Sequence, residues 1–132
     1  MGKATSRLRT TNVVFLVSDI AATIPWYVQN LGFSADPFPP RPPHAFCLLR
    51  RDDVVIMLQQ LTGYTRPDHY AERPGGVWSV YIETSNVAGL HEGLRANPAV
   101  KIVRGLCRQP YGQTEFEVVD PNGYVLVFAE PS

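Results

Sequence analysis

Hydrophobic and polar residues alternate most regularly in the C-terminal part of the chain. Between Gln113 and Phe128, two runs rich in Val, Phe and Leu flank a polar turn at residues 120–123, which has the sequence Asp-Pro-Asn-Gly. Proline holds φ at about −65° and Asn-Gly tolerates positive φ, so the pattern predicts a β-hairpin. Alternation puts Phe116 on an apolar face that can pack under a helix, and Glu115 on a mixed face where a binding cavity could lie.

The same plan occurs earlier in the sequence. Residues 46–60 again form two apolar runs, joined by the polar turn at residues 51–53. Ahead of each hairpin lie a short β-branched run, a helix-capping residue (Asp19 or Asn86) and an amphipathic stretch. Because the two capping residues stand about half the chain length apart, the sequence predicts an α+β fold that duplicates a unit of strand, helix and three strands.

This duplication divides a single domain into two modules. Module one spans residues 11–60 and module two spans residues 77–130, and the polar segment 61–76, rich in Gly and Pro, links them. A length of 132 residues suits one compact domain of this kind. The linker is long enough for the modules to pack within one chain or to exchange with a second chain, so both arrangements stay open.

The first helix is predicted to have a late start and a clear stop. Proline is tolerated in the first turn of a helix, so Pro25 places the beginning near Ala22, and Gly32 marks the end. Trp26 is a candidate for an intersubunit contact. Apolar residues at three- and four-residue spacing make a predicted buried stripe, which consists of Ile24, Tyr27, Val28 and Leu31.

Residues that break regular structure set the remaining boundaries. The proline-rich run 37–43 is expected to prevent regular strand pairing, because proline lacks the N–H donor. In module two we expect a strand at 77–83, a helix at 87–97 and a strand at 100–104, followed by a loop at 105–111. The proline-rich run is therefore predicted to be a stiff surface loop between two strands.

Composition and charge exclude several classes of function. Twelve Lys and Arg balance twelve Asp and Glu without long blocks of one sign, so the electrostatic footprint of a nucleic-acid-binding protein is missing. No apolar run approaches the ~20 residues that cross a bilayer, and the basic N-terminal residues lack the apolar core of a secretion signal, so we expect a cytoplasmic protein. The two cysteines fit no metal-binding spacing, and Cys47 is expected to be buried and inert.

Several short motifs occur in the same order as in a known family. They are Val17-Ser18-Asp19, Trp26-Tyr27, Leu31-Gly32-Phe33, Tyr111-Gly112, Phe116 and Asp120-Pro121-Asn122-Gly123. With them the chain resembles the vicinal oxygen chelate superfamily, which includes glyoxalase I, extradiol dioxygenases, fosfomycin-modifying enzymes and bleomycin resistance proteins. The resemblance implies two pseudo-symmetric βαβββ modules that form a cupped mixed β-sheet, with the helices outside and the ligand site inside.

The resemblance also implies where a divalent metal would bind. In metal-dependent members, a His or Gln on the first strand of a module and a Glu on its last strand hold the ion. The matching positions here are Asn12, Met57, Ser79 and Val127. Thioether and isopropyl groups supply neither a hard donor nor charge. We therefore expect no metal and no other cofactor at these four positions.

The resulting hypothesis is a metal-free binder of a small, partly aromatic or apolar molecule. It resembles the bleomycin resistance branch, in which binding alone sequesters a drug or toxin, and because members are often dimers we expect a homodimer. Stacking and burial supply affinity in such pockets, and Glu115 suits a cationic or hydrogen-bond-donating group. The expected lining residues are Asn12, Val14, Phe46, Leu48, Met57, Ser79, Tyr81, Tyr111, Glu115 and Val127.

Two other hypotheses stay open. The chain could be a glyoxalase- or dioxygenase-like enzyme (lyase, isomerase or oxygenase). It would use either a divalent metal on displaced ligands such as His44, Glu115 and Glu117, or Glu115 as a general base, although pairing of Glu115 with Arg104 or Arg108 is the simpler role. Alternatively the domain mainly contacts another protein, which a cavity below ~300 Å³ would favour.

Overall fold

The computed structural model describes residues 4–72 and 77–132. In chain order the first half contains β1 (Val13–Val17), α1 (Ile20–Leu31), β2 (Ser34–Phe38), β3 (Phe46–Arg51) and β4 (Val54–Gln60). The second half contains α2 (His69–Glu72), β5 (Val80–Glu83), α3 (Val87–Arg95), β6 (Lys101–Arg108), β7 (Gln113–Val119) and β8 (Val125–Pro131). Residues 73–76, at the end of the predicted linker, lie outside the described residues.

The strands form two sheets with the same internal plan. The first sheet has the order β1-β4-β3-β2 and the second has the order β5-β8-β7-β6. In each sheet the first strand of the module pairs in parallel with its last strand, while the other neighbours are antiparallel. The α+β fold of two βαβββ modules predicted from the sequence is therefore confirmed.

Helix α1 begins two residues earlier than its proline suggests. Asp19 caps the helix by accepting a 3.1 Å hydrogen bond from the backbone N–H of Ala22, and Gly32 ends it with a φ of 70°. Pro25 therefore lies inside the helix rather than in its first turn, and the predicted start near Ala22 is wrong. The loss of one backbone donor at Pro25 is tolerated because capping and packing hold the helix on both sides.

The buried face of α1 also differs from the predicted stripe. The side chain of Val28 is 40% exposed, so its assignment to the stripe is wrong. Trp26 packs within the chain, where its Nε1 donates a 3.1 Å hydrogen bond to the carbonyl of Ala99 in module two. The buried residues of the helix are Ile20, Thr23, Tyr27 and Leu31.

The pairing of Pro37 and three element boundaries in module two differ from the predictions. Pro37 pairs with Cys47, because β2 is the edge strand of its sheet and an edge tolerates a missing N–H. Strand β6 continues through Gly105 to Arg108 with two shifts of register against β7, so the predicted loop starts too early. In module two, α3 ends at Arg95, and β5 begins only at Val80.

Both modules contribute to one hydrophobic core. Helix α1 packs on β2, β3 and β4, and helix α3 packs on β6, β7 and β8. The ring of Tyr124, just before β8, stacks on Phe15 of β1 with centroids 4.0 Å apart, and its hydroxyl donates to the carbonyl of Leu16. Buried core residues come from both halves of the chain. The modules therefore pack against each other within one chain.

Candidate functional site

Two glutamates lie on the face of the second sheet that points away from α3. Phe116 faces the helix, where its ring meets that of His91 with centroids 5.1 Å apart. Strand alternation then turns Glu115 and Glu117 to the opposite face. Both side chains are 0% exposed. Buried carboxylates require hydrogen-bond partners, so their partners define this face.

Two tyrosine hydroxyls donate to Glu115. The hydroxyl of Tyr81, on β5, donates a 2.6 Å hydrogen bond to Oε2 of Glu115. The hydroxyl of Tyr111, in the turn before β7, donates to Oε1. Both oxygens of this carboxylate therefore accept a hydrogen bond from an aromatic side chain, which fixes the orientation of both rings.

Glu117, two residues further along β7, also accepts a hydrogen bond from an aromatic side chain. The indole Nε1 of Trp78 donates a 3.2 Å hydrogen bond to Oε2 of Glu117, and the guanidinium of Arg104 lies 3.7 Å from the same oxygen. Trp78, Tyr81 and Tyr111 therefore each direct a polar hydrogen to a buried carboxylate.

The phenols of the site hold their protons strongly. Burial, together with the hydrogen bond to Glu115, raises the pKa of Tyr81 above its usual value. Burial and the same carboxylate also raise the pKa of Tyr111 to about 12. Both hydroxyls are therefore protonated donors at neutral pH, and neither suits the role of a base.

The three aromatic side chains line an open concavity of about 380 Å³. Trp78, Tyr81 and Tyr111 are 42%, 41% and 53% exposed, although their polar atoms are engaged with the carboxylates beneath them. The Trp78 and Tyr81 rings lie 5.3 Å apart at an interplanar angle of 49°. The surface offered to a ligand thus consists of ring faces and edges.

A second concavity, of about 360 Å³, lies between the modules. Its rim carries Arg51, Asp52 and Asp53 of the β3–β4 turn and Glu83 at the end of β5. Arg51 is committed to local contacts, because its guanidinium donates to the carbonyl of Leu31. None of the residues predicted to line the ligand site borders this space. The aromatic concavity is therefore the better candidate.

The residues predicted to line the site fall into two groups. In module two, Tyr81, Tyr111 and Glu115 are in direct contact, and Val127 stands beside Tyr81 in the sheet register. In module one, the predicted residues lie on the first sheet instead, on the face away from α1. There Met57 pairs with both Val14 and Leu48, Phe46 stands at the start of β3, and Asn12 is exposed just before β1.

Ser79 has a structural role in the second sheet. Its Oγ accepts a 3.0 Å hydrogen bond from the backbone N–H of Val125 and a 3.1 Å bond from the guanidinium of Arg66. The same guanidinium lies over the ring of Tyr124, 5.1 Å from its centroid. Ser79 thus anchors the segment between the modules to β8.

The donor set does not fit the divalent metal that the family resemblance implies. Met57 and Val127 offer no hard donor at two of the four matching positions, and Ser79 Oγ already accepts two hydrogen bonds. His44 donates a 2.8 Å hydrogen bond from Nδ1 to the carbonyl of Pro39. Within residues 4–72 and 77–132, no three His, Cys, Asp or Glu side chains are placed to hold a metal ion, so the alternative set of His44, Glu115 and Glu117 is not assembled.

Trp78 is the residue of the aromatic concavity that strand alternation does not predict. Strand alternation through 77–83 put Ser79 and Tyr81 on the ligand face and Trp78 on the other. Because β5 begins only at Val80, Trp78 lies before the regular strand and alternation does not govern its direction. The sequence signal that points to it is the residue type, since tryptophan combines a large apolar ring with an N–H donor and is enriched at interfaces.

The family of the chain is established by sequence. A sequence model of the Glyoxalase/Bleomycin resistance protein/Dioxygenase superfamily matches residues 9–128. The chain therefore belongs to this superfamily, as the ordered motifs predicted. Among curated proteins, no sequence matches the chain closely enough to count as a relative. No helix in the described part of the chain has the length and apolarity needed to cross a membrane.

Solved structures share the fold at low identity. One is a bleomycin-binding protein from bleomycin-producing Streptomyces verticillus, complexed with copper(II)-bleomycin (21% identity, TM-score 0.68, covering 97% of this chain and 100% of that chain). Another is a glyoxalase-related enzyme from Clostridium phytofermentans (16% identity, TM-score 0.76, covering 98% and 100%). A third is TioX from Micromonospora sp. ML1 (19% identity, TM-score 0.70, covering 94% and 97%). At these identities the likeness defines the fold and leaves the ligand open.

Proposed function

We propose that this protein binds a small, partly aromatic or apolar molecule in the concavity lined by Trp78, Tyr81 and Tyr111, without a metal. The observation that carries the proposal is the exposure of three aromatic rings over two fully buried carboxylates. Large rings held in fixed orientations supply contact area at little entropic cost. The volume of about 380 Å³ falls within the range of small-molecule sites.

The arrangement favours binding over catalysis by Glu115. A general base must come within hydrogen-bond reach of the proton that it removes. Glu115 is 0% exposed, and both of its oxygens accept hydrogen bonds from tyrosines. The carboxylate therefore supports the rings instead of contacting a substrate directly. Sequestration of a drug or toxin is the corresponding role, and the bleomycin-binding protein from Streptomyces verticillus shares its fold.

Fluorescence titration with N-phenyl-1-naphthylamine, a neutral aromatic probe, tests the proposal. We expect saturable binding in the presence of EDTA and weaker binding by the double variant Trp78→Ala, Tyr111→Ala. The variant Leu8→Ala is the control, because Leu8 is fully exposed in the N-terminal segment. Equal binding by wild type and the double variant would place the ligand elsewhere.

Metal analysis of the purified protein tests the metal-free part of the proposal. The donor chemistry at Met57 and Val127 predicts substoichiometric zinc, nickel, manganese and iron. A stoichiometric divalent ion that is lost together with probe binding would instead favour the enzyme alternative.

We further propose that the protein is a homodimer. The face of the first sheet away from α1 carries apolar side chains that the chain itself leaves partly uncovered, among them Val14 at 49% exposed. Burial of such a face against a second copy removes apolar surface from water. Sedimentation at micromolar concentration should give the mass of a dimer, and a single monomeric species would refute this assignment.

A further inference from the structure

We propose that the aromatic concavity selects an organic cation that lacks N–H donors, such as a quaternary ammonium group, over neutral molecules of the same shape. This inference rests on the proposed binding function and specifies the ligand class of the same site. It follows from what the rings expose, from the charge beneath them and from the hydrogen-bonding capacity that remains.

The ring surfaces are what a ligand in the concavity meets. The face of an aromatic ring is electronegative, and a cation within about 6 Å of a ring centroid is attracted to it. Trp78, Tyr81 and Tyr111 direct their polar hydrogens to the carboxylates below. A ligand in the concavity therefore meets ring surfaces instead of O–H or N–H donors, which is the environment of an aromatic cage.

The hydrogen bonds to the carboxylates also polarise the rings. A hydrogen bond from a phenol to a carboxylate shifts electron density toward the donor oxygen and its ring, since hydrogen-bonded groups polarise one another at low dielectric. Tyr81 and Tyr111 both donate to Glu115, and Trp78 donates to Glu117. The attraction of all three rings for a cation is therefore strengthened by their hydrogen-bond partners.

A buried negative charge lies under the rings. The oxygens of Glu115 accept from two neutral tyrosine hydroxyls, so these contacts leave the formal negative charge of the carboxylate in place. Because this carboxylate is fully buried, solvent screens its field less than it screens a surface charge. The field attracts cations and repels anionic aromatics.

The concavity favours a quaternary ammonium over a primary one. A primary ammonium gives up hydration when it binds and needs hydrogen-bond acceptors in return. The Glu115 oxygens already accept from two tyrosines and have no exposed surface. A quaternary ammonium has no N–H group to satisfy, so it loses little on entering the concavity. The geometry therefore favours a methylated or delocalised cation.

The experiment compares choline with 3,3-dimethylbutan-1-ol, which replaces the nitrogen by carbon and keeps the shape. Binding is followed by heteronuclear NMR shifts of the wild-type protein. We expect choline to bind about tenfold more tightly than the neutral isostere, as cation–π attraction at a partly desolvated site implies. Equal affinities, tighter binding of the isostere, or no binding of either probe would overturn the inference.

Variants identify the source of the preference. Tyr111→Leu keeps an apolar side chain but removes a ring, so the preference for choline should fall, whereas Tyr111→Phe keeps the ring and should retain most of it. Glu115→Gln removes the negative charge and should weaken choline binding while leaving the isostere unchanged. Phe38→Leu is the control, because Phe38 is an aromatic residue of the other sheet that is 65% exposed.

The outcomes distinguish this inference from the proposed function. If N-phenyl-1-naphthylamine binds at the concavity but choline shows no advantage over its isostere, the cation preference is wrong and the binding function stands. If the neutral probe fails to bind and choline binds with its expected advantage, the ligand class is correct and the emphasis on neutral aromatic molecules is wrong. If Tyr111→Leu and Tyr111→Phe lower choline affinity equally, the ring is not the source of selectivity.

Discussion

The hydroxyl of Tyr27 in α1 donates a 2.6 Å hydrogen bond to Oδ2 of Asp120, in the turn between β7 and β8. Both groups are buried, and the bond joins the helix of module one to the last hairpin of module two. The other oxygen of Asp120 accepts the backbone N–H groups of Asn122 and Tyr124. One carboxylate thus shapes the turn and holds the two modules together.

Removal of the Tyr27 hydroxyl should destabilise the protein. Tyr27→Phe leaves a buried carboxylate oxygen without its donor, which costs about 1–3 kcal/mol of unfolding free energy. Urea denaturation of wild type and variant measures the difference. The double-mutant cycle with Asp120→Asn should show clear non-additivity, because the two residues share one bond. Additive effects would mean that the bond contributes nothing of its own.

Alanine substitutions at two glycines should change the stability of the protein in opposite directions. Gly123 has a φ of 90°, where a Cβ is strained, so Gly123→Ala should cost about 1–2 kcal/mol. Gly93 lies in α3 without positive φ, and nothing stands within 4 Å of an added Cβ, so Gly93→Ala should stabilise the protein by about 0.5–1 kcal/mol. Chemical denaturation of both variants checks this pair. Effects of the same sign would refute the backbone argument.

Stability should fall in alkaline solution because of the site tyrosines. The pKa of Tyr111 is raised from 10.0 to about 12 by burial and by Glu115, and that of Tyr81 is raised by the same causes. The folded state then holds these protons more tightly than the unfolded state. The resulting stabilisation is complete below pH 10.0 and is lost as the pH rises toward about 12.

Denaturation midpoints measured across this alkaline range test the predicted dependence of stability on pH. Tyr111→Phe removes one of the titrating groups, so its stability should decline less steeply with pH than that of wild type. Ultraviolet absorbance of tyrosinate should show the corresponding late ionisation in the wild-type protein. An identical pH dependence for the two proteins would show that Tyr111 does not contribute.

The fold could be predicted largely from local patterns. The two hairpins, the capping residues Asp19 and Asn86 and the stop at Gly32 depend on nearby residues, and the structure contains each of them. The misplaced elements depend on tertiary context. Pro25 is accommodated inside α1 by packing and capping, and strand β6 passes through Gly105 because pairing with β7 continues beyond it.

The candidate site was predictable only in part. Alternation and motif order place Tyr81, Tyr111 and Glu115 on one face, so these three residues are predictable from the sequence. The engagement of both Glu115 oxygens by tyrosines is a three-dimensional relationship that spacing does not reveal. Trp78 precedes the regular strand, so alternation does not predict its direction, and Ser79, which alternation places on the ligand face, anchors Arg66 and Val125.

The proposed function depends on the binding of a small molecule against the rings of Trp78, Tyr81 and Tyr111. The chain has two tryptophans, and Trp26 donates its indole N–H to Ala99 on a different part of the molecule. The most direct test is therefore an NMR titration with N-phenyl-1-naphthylamine that follows the two indole N–H resonances. We expect a saturable shift of the Trp78 resonance with little change at Trp26. A shift confined to Trp26, or no shift of either resonance at saturating probe, would contradict it.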